Sequence, residues 1–316
     1  MSRFPGPALA LVIAAVLGNA TTARAYCRLT TSMPVAGETC SGEGTPLFWP
    51  RQCLGYSVVP RDVASPTLDE VRDVVDTSFA TWGSVQCDGQ RIAIELQQTF
   101  ETAECIEPQY NTDGPNANAV IFVQDWETRD PPLPDTAFGL TLVWHDPNTG
   151  EIFDADLQIN ETLGTLAICA GTPPSCGPRD VDIQNVVTHE AGHYLGLGHT
   201  TDDLDLNPTM AASALKAETA KRSLANDDRK GVCAIYGDYA PVACEPSDFR
   251  PNNGFSAACY FARADGLGCG TCGALGATRP LRLPAAGALA LLALVASYRL
   301  RRRVTASISR PRPTNR

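Results

Sequence analysis

Histidine is scarce in this sequence, with four residues among 316, and no Gly-x-Ser-x-Gly nucleophile elbow occurs. The second absence removes the commonest serine-hydrolase chemistry, because that elbow is what exposes a strained serine hydroxyl above a sheet. No segment repeats itself, which excludes a solenoid or a propeller. Positive charge is thin away from the ends. Residues 1–25 and 273–316 hold eleven of the 25 basic residues and none of the 35 acidic ones, leaving 14 basic against 35 acidic between them, a net charge of −21. Such a surface repels phosphate backbones and anionic headgroups, so nucleic acid is not an expected partner, nor is a lipid surface for the middle of the chain. Cysteine is the opposite case. Twelve residues lie after Ala25, without the paired Cys/His spacing of a structural zinc site through most of the chain, and disulfides are their expected use.

The two ends carry addresses. Arg3, the apolar stretch Ala8 to Leu17 and the small-x-small triplet Ala23-Arg24-Ala25 read as a secretory signal over residues 1–25, which places the mature chain outside the cytoplasm. Leu283 to Tyr298 is an uncharged apolar run followed by Arg299, Arg301, Arg302 and Arg303. A buried core helix seldom ends in such a cluster, and a positive-inside anchor over 273–303 with a basic tail at 304–316 is the better account. Together with Gly268-Cys269-Gly270-Thr271-Cys272, this region resembles the C-terminal sorting signal of myxobacterial surface proteins. The resemblance implies a transient anchor at the cell surface, with Cys269 processed or lipidated. A disulfide between Cys269 and Cys272 is one alternative, and half of a zinc site is another, weakened by the lack of a second cysteine pair nearby.

Between the ends, residues 26–53 are rich in Gly, Pro, Ser and Thr and contain Cys27, Cys40 and Cys53, which suggests a cross-linked loop. A domain over 54–237 follows, and a cysteine-containing linker over 238–272. Tyr56 to Val59 reads as a first strand. Thr67-x-x-Glu70 forms a capping box for a helix whose Leu68, Val71, Val75, Phe79 and Trp82 share one face, read as core packing. Strands are expected at Arg91–Leu96, Ala119–Val123, Thr136–Trp144 and Ala155–Ile159. Asp180 or Asp182 caps a second helix to about Leu195, and a third runs from Asn226 to Tyr236. Cys40 with Cys53 and Cys87 with Cys105 are pairings suggested by proximity alone. Asp146, Asn148, the Gly150 carbonyl, Asp154 and Asp156 form either a plain turn or a set of hard oxygen ligands, and calcium is not assigned.

The chemistry is concentrated in Thr188-His189-Glu190-Ala-Gly-His193-Tyr-Leu-Gly196-Leu-Gly-His199. Positions i and i+4 of a helix stand one above the other, so His189 and His193 aim two imidazoles at one point. Gly196 is where a residue without a Cβ lets the chain leave the helix in a left-handed conformation and return His199 as a third ligand. Three protein ligands leave one tetrahedral position of a zinc ion open, the mark of a catalytic site. Glu190, adjacent to a ligand, is then the general base. Three of the four histidines lie in this one motif, which argues against coincidence.

HExxHxxGxxH is the metzincin motif, and more of the chain resembles the matrixin branch. Asp182-Ile-Gln-Asn-Val-Val-Thr-His189 looks like the lead-in to a matrixin active-site helix, Met210 stands where the Met-turn is expected, and Leu224 to Gly237 resembles the closing helix. The resemblance covers about residues 45–237. It implies an α+β fold with a five-stranded, mostly parallel twisted sheet, one antiparallel edge strand, two long helices, and a small C-terminal subdomain holding a third. It further implies a monomeric, extracellular zinc endopeptidase acting on protein or peptide, with the edge strand near Phe138–Trp144 pairing with the substrate. Several features depart from the pattern. No cysteine-switch propeptide is recognisable, and Cys53 is expected in a disulfide. His145 alone cannot build the second, structural zinc site of many relatives. Ala211-Ala-Ser213 replaces the Pro and Tyr that often line the specificity pocket. A surface binding protein without turnover and a zinc hydrolase acting on something other than protein are the competing readings, and retention of Glu190 speaks against the first.

Overall fold

The computed structural model describes residues 26–258 apart from 33–39, 41, 62–64, 100, 131 and 201–207. The expected export signal, the Gly-Cys element, the anchor and the basic tail lie outside the described residues. Among those described, no helix is long and apolar enough to cross a membrane.

In chain order the elements are β1 (Cys27–Arg28), β2 (Cys53–Val58), α1 (Leu68–Gly83), β3 (Gln86–Cys87), β4 (Gln90–Arg91), β5 (Glu95–Gln98), β6 (Ala119–Val123), β7 (Gly139–His145), β8 (Ile152–Asn160), β9 (Thr165–Ala167), β10 (Asp180–Asp182), α2 (Ile183–Tyr194), β11 (Leu197–Gly198) and α3 (Asn226–Tyr236). Five strands make the main sheet in the order β5-β2-β6-β8-β7. The first four run parallel, and β7 lies antiparallel to β8 at the edge. The short connection from β7 to β8 dictates that reversal, because a tight turn joins only antiparallel neighbours, whereas β2 and β5 are joined through α1. Asp146 uses its own carboxylate to close the turn, accepting from the backbone N–H of Asn148 at 2.7 Å and of Thr149 at 3.0 Å. Its partner Asp156 lies elsewhere, buried and accepting from the N–H groups of Ala119 and Gln109.

The strand expected at Arg91–Leu96 is divided. Asp88 and Gly89, at φ 51° and 83°, make a two-residue turn that pairs β3 with β4 as a small hairpin. The sheet strand begins only at Glu95. Asp-Gly favours this turn because both central residues need positive φ.

Helices α1 and α2 pack on one face of the sheet. The capping box at Thr67 and Glu70 closes α1, with Glu70 Oε2 accepting from the Thr67 N–H at 2.8 Å. Val71, Val75, Phe79 and Trp82 are fully buried along its inner face. Asp182 starts α2, accepting from the Asn185 N–H at 2.9 Å. Arg222 meets the same carboxylate through Nε at 2.6 Å and Nη2 at 2.5 Å. Two charge-assisted donors fix this fully buried side chain where the active helix begins.

The segments flanking 54–237 join this core. β1 pairs antiparallel with β11, so residues 26–53 are more than a cross-linked loop. Leu47 and Trp49 are buried, and the Trp49 indole donates to the Tyr194 carbonyl at 2.8 Å. Within the stretch read as a linker, Phe249 is buried, and its carbonyl lies so close to Gly55 that a Cβ there would sit at 1.7 Å. The disulfides are Cys27–Cys40, Cys53–Cys244, Cys87–Cys233 and Cys169–Cys176. They overturn both suggested pairings, Cys40 with Cys53 and Cys87 with Cys105. Cys53 opens a central strand reached by the returning chain at Cys244, and Cys87 of the hairpin lies on α3, so closeness in sequence did not decide either bond. Cys105 is also disulfide-bonded.

Candidate active site

His189 and His193 project from one face of α2, which ends at Leu195 with Gly196 at φ +89°. A Cβ on Gly196 would lie 2.8 Å from the Leu47 carbonyl oxygen, so both the turn and the packing require glycine there. The reversed chain forms β11 and delivers His199. Nitrogen atoms of the three imidazoles lie within 4.8 Å of one another. The Nε2 atoms of His193 and His199 are 3.2 Å apart, close to the edge of about 3.3 Å expected for two nitrogens bound tetrahedrally at about 2.0–2.1 Å from zinc.

The outward nitrogens are anchored. His189 Nδ1 lies 2.6 Å from the Thr209 carbonyl and His193 Nδ1 2.8 Å from that of Leu197. A carbonyl can only accept, so each Nδ1 carries the proton and each Nε2 presents a lone pair inward, the tautomer a metal needs. Burial, with the neighbouring imidazoles, pushes His189 well below the ordinary histidine value and His193 to about 3. Three imidazoles converge on one point, two of them fixed as metal-binding tautomers, so the donor set fits zinc.

Glu190 is 4% exposed. Burial pushes its carboxyl up to about 7, and a hydrogen bond from Thr141 works in the opposite direction. Beneath the histidines, Met210 is buried so tightly against α2 that a Cβ on Gly192 would meet its Sδ at 2.2 Å. Two buried groups hold this turn. Asp228 of α3 accepts from the N–H groups of Thr209 at 2.8 Å and Met210 at 3.0 Å. The Lys221 ammonium donates to the carbonyl of Ala211 at 2.8 Å and, at longer range, to those of Pro208 and Thr209. The Thr209 carbonyl therefore links that cradle to His189.

His189, Glu190, His193, His199 and Lys221 line one cleft of about 680 Å³, walled by Phe138–Thr141 of the edge-strand side, Val186 and Ala211–Ala214. Its rim includes Arg28 to Thr30 beside β1.

The sequence profile of the matrixins matches residues 48–237. The chain belongs to the matrixin family. It is similar to Metalloendoproteinase 2-MMP of Arabidopsis thaliana, with 26% identity over 219 residues that cover 66% of this chain and 50% of the relative. It is also similar to Metalloendoproteinase 5-MMP of the same plant, at 28% over 195 residues, 60% of this chain and 45% of the relative. A shorter match to Metalloendoproteinase 1 of Glycine max reaches 43% over 56 residues, 18% of this chain and 17% of the relative. The chain spans about half the length of the curated relatives it matches over the longer stretches.

As a matrixin, the molecule has the expected five-stranded, mostly parallel sheet and three helices. The structure brings His189, Glu190, His193, His199, Gly196 and Met210 together. His145 ends β7, with its Nδ1 3.3 Å from the Val143 carbonyl. Trp82, read only as core, has a further part: its indole donates to the Thr188 carbonyl at 2.8 Å, directly beneath the motif helix. Sequence reading did not find Thr141, Lys221 or Asp228 as site residues. Asp228 had a local signal, its place in the first turn of α3, but that signal announces a cap and says nothing of Met210. Thr141 and Lys221 have no local signature, since each acts on a segment distant in sequence.

Proposed function

We propose that this matrixin is an exported zinc-dependent endopeptidase in which His189, His193 and His199 hold the metal and Glu190 is the general base. The convergence of three imidazoles with one buried carboxylate, in a cleft beside the β7 edge of the sheet, carries the reading. Zinc held there would lower the pKa of a bound water towards about 7 and polarise the scissile carbonyl. Glu190, raised towards neutrality by burial, takes a proton from the water and passes it to the departing amine. Among the described strands β7 has a partner on one side only, so its other side can receive an extended peptide through main-chain hydrogen bonds. Val186, Ala211, Ala212 and Ala214, with the polar Ser213 among them, line the cleft beside the histidines and can receive one substrate residue. Residues 1–25 serve export, and the apolar run with its arginine cluster provides a transient anchor at the cell surface.

The relatives named as metalloendoproteinases support the endopeptidase reading, and retention of Glu190 favours turnover over zinc binding alone. The test is cleavage of a quenched-fluorescent peptide library by wild type and Glu190→Ala, with zinc content determined on both. Wild type is expected to bind one zinc and cleave. The variant is expected to keep the zinc and lose about 10²–10⁴-fold in rate, the ordinary contribution of a general base. Equal cleavage by both proteins would remove Glu190 from the mechanism.

A further inference from the structure

Strand β7 does more than border the cleft. Gly139 and Thr141 are two residues apart and therefore face the same side of the sheet, the side on which α2 packs. The Thr141 hydroxyl donates to Glu190 Oε2 at 2.7 Å and lies 3.2 Å from the Glu190 main-chain carbonyl. A hydroxyl has one proton, and the shorter, charge-assisted contact takes it. The other oxygen is confined by shape: a Cβ on Gly139 would stand 2.6 Å from Glu190 Oε1 and 2.9 Å from Cγ and Cδ. The carboxylate therefore rests directly on the strand backbone. Among the described residues Thr141 is the only side chain that donates to it.

We propose that Thr141 is a positioning residue for the general base, with Gly139 supplying the clearance that lets the carboxylate lie against β7. A glutamate side chain has three rotatable bonds and loses their rotamer freedom when fixed. Tethering it to β7 fixes the base on the same element that aligns the peptide. Base and scissile carbonyl then share one frame of reference, and a small misplacement between such groups is expensive in rate. A threonine present only to satisfy a buried carboxylate would act on stability and leave turnover alone.

The inference rests on the peptidase reading, and its test separates the two. Zinc-loaded wild type, Thr141→Val, which keeps the shape without the hydroxyl, and Thr141→Ser, which keeps the hydroxyl, are compared for zinc content, kcat and KM on one peptide. Crystal structures of the three report where Glu190 lies. Thr141→Val is expected to keep its zinc and a KM within about twofold, to lose about 10–100-fold in kcat, and to show Glu190 displaced or spread over rotamers. Thr141→Ser is expected to stay within about threefold of wild type with Glu190 in place. If the valine protein does not fold, Thr141→Ala takes its part. An unchanged kcat in the hydroxyl-free variant, a serine variant as slow as the valine one, or an undisturbed Glu190 overturns the proposal. Should wild type hold zinc and cleave nothing, the peptidase reading fails, and the position of Glu190 in the crystals still decides for or against Thr141.

Discussion

Asp154 lies in the middle of strand β8, fully buried, with neither carboxylate oxygen hydrogen-bonded. Burial raises its pKa well above the usual carboxylate value, Asp156 adds to the rise, and Arg51 opposes it. A carboxyl raised in the folded state is held as the acid, so ionisation favours the unfolded chain. Its contribution to stability is present below the unfolded value of about 3.9 and is lost as pH rises through the higher folded value. Asp154→Asn removes that ionisation. The variant is expected to show a higher urea midpoint than wild type at pH 8 and a nearly equal one at pH 4. A difference that does not depend on pH would show that packing of the amide, and not the charge, is responsible. At this scale the zinc ligands were legible from sequence, because His189, His193 and Gly196 express one helix turn and its exit. Asp154 and Thr141 were not. A strand residue gives away its face by alternation, but what covers that face comes from elsewhere in the chain.

Among the elements, the helices announced themselves. Thr67 with Glu70, and Asp182 of the alternatives Asp180 and Asp182, are local capping signals, and α1 and α2 begin directly after them. The β3–β4 hairpin was not anticipated: all of it but Arg91 precedes the strand expected at Arg91–Leu96, and its two-residue strands are too short to show an alternating pattern. This hairpin is stapled to α3 by Cys87–Cys233, which closes a separation of 146 residues. α3 carries Asp228, which holds the Met210 turn, so the staple supports the floor of the cleft from a distance. Replacing Cys87 and Cys233 together by Ser is expected to cost about 2–4 kcal/mol in urea unfolding. Zinc affinity, measured by competition with a chelator, is expected to weaken as well. A variant with unchanged stability would mean that noncovalent packing of the hairpin on α3 suffices.

For the whole molecule, the proposed metal ties together parts that the chain keeps apart. His189 and His193 come from α2, His199 from the residue just after the strand that pairs with the N-terminal β1, and the supporting carbonyl of Thr209 from the turn that Lys221 and Asp228 hold. A ligand that binds only the folded state stabilises it by mass action, by about 2.7 kcal/mol at a concentration 100 times Kd. Calorimetric unfolding is therefore expected to show a Tm that rises with free zinc and falls after chelation. In His189→Ala the response to zinc should be largely lost, and a zinc-dependent Tm of wild-type size in that variant would place the stabilising metal elsewhere.

The sequence by itself determined the reactive motif, the helices and the acidic character of the middle of the chain, because each of these depends on neighbours within a few residues. Tertiary structure decided what depends on distant approach: the disulfide pairings, the burial of Trp49 and Phe249 in the core from outside residues 54–237, and the placement of Thr141 over Glu190. Apart from Cys27–Cys40 and Cys169–Cys176, those contacts join segments far apart in the chain, 49 residues for Thr141 with Glu190 and 191 for Cys53 with Cys244, and no local spacing encodes which of them will meet.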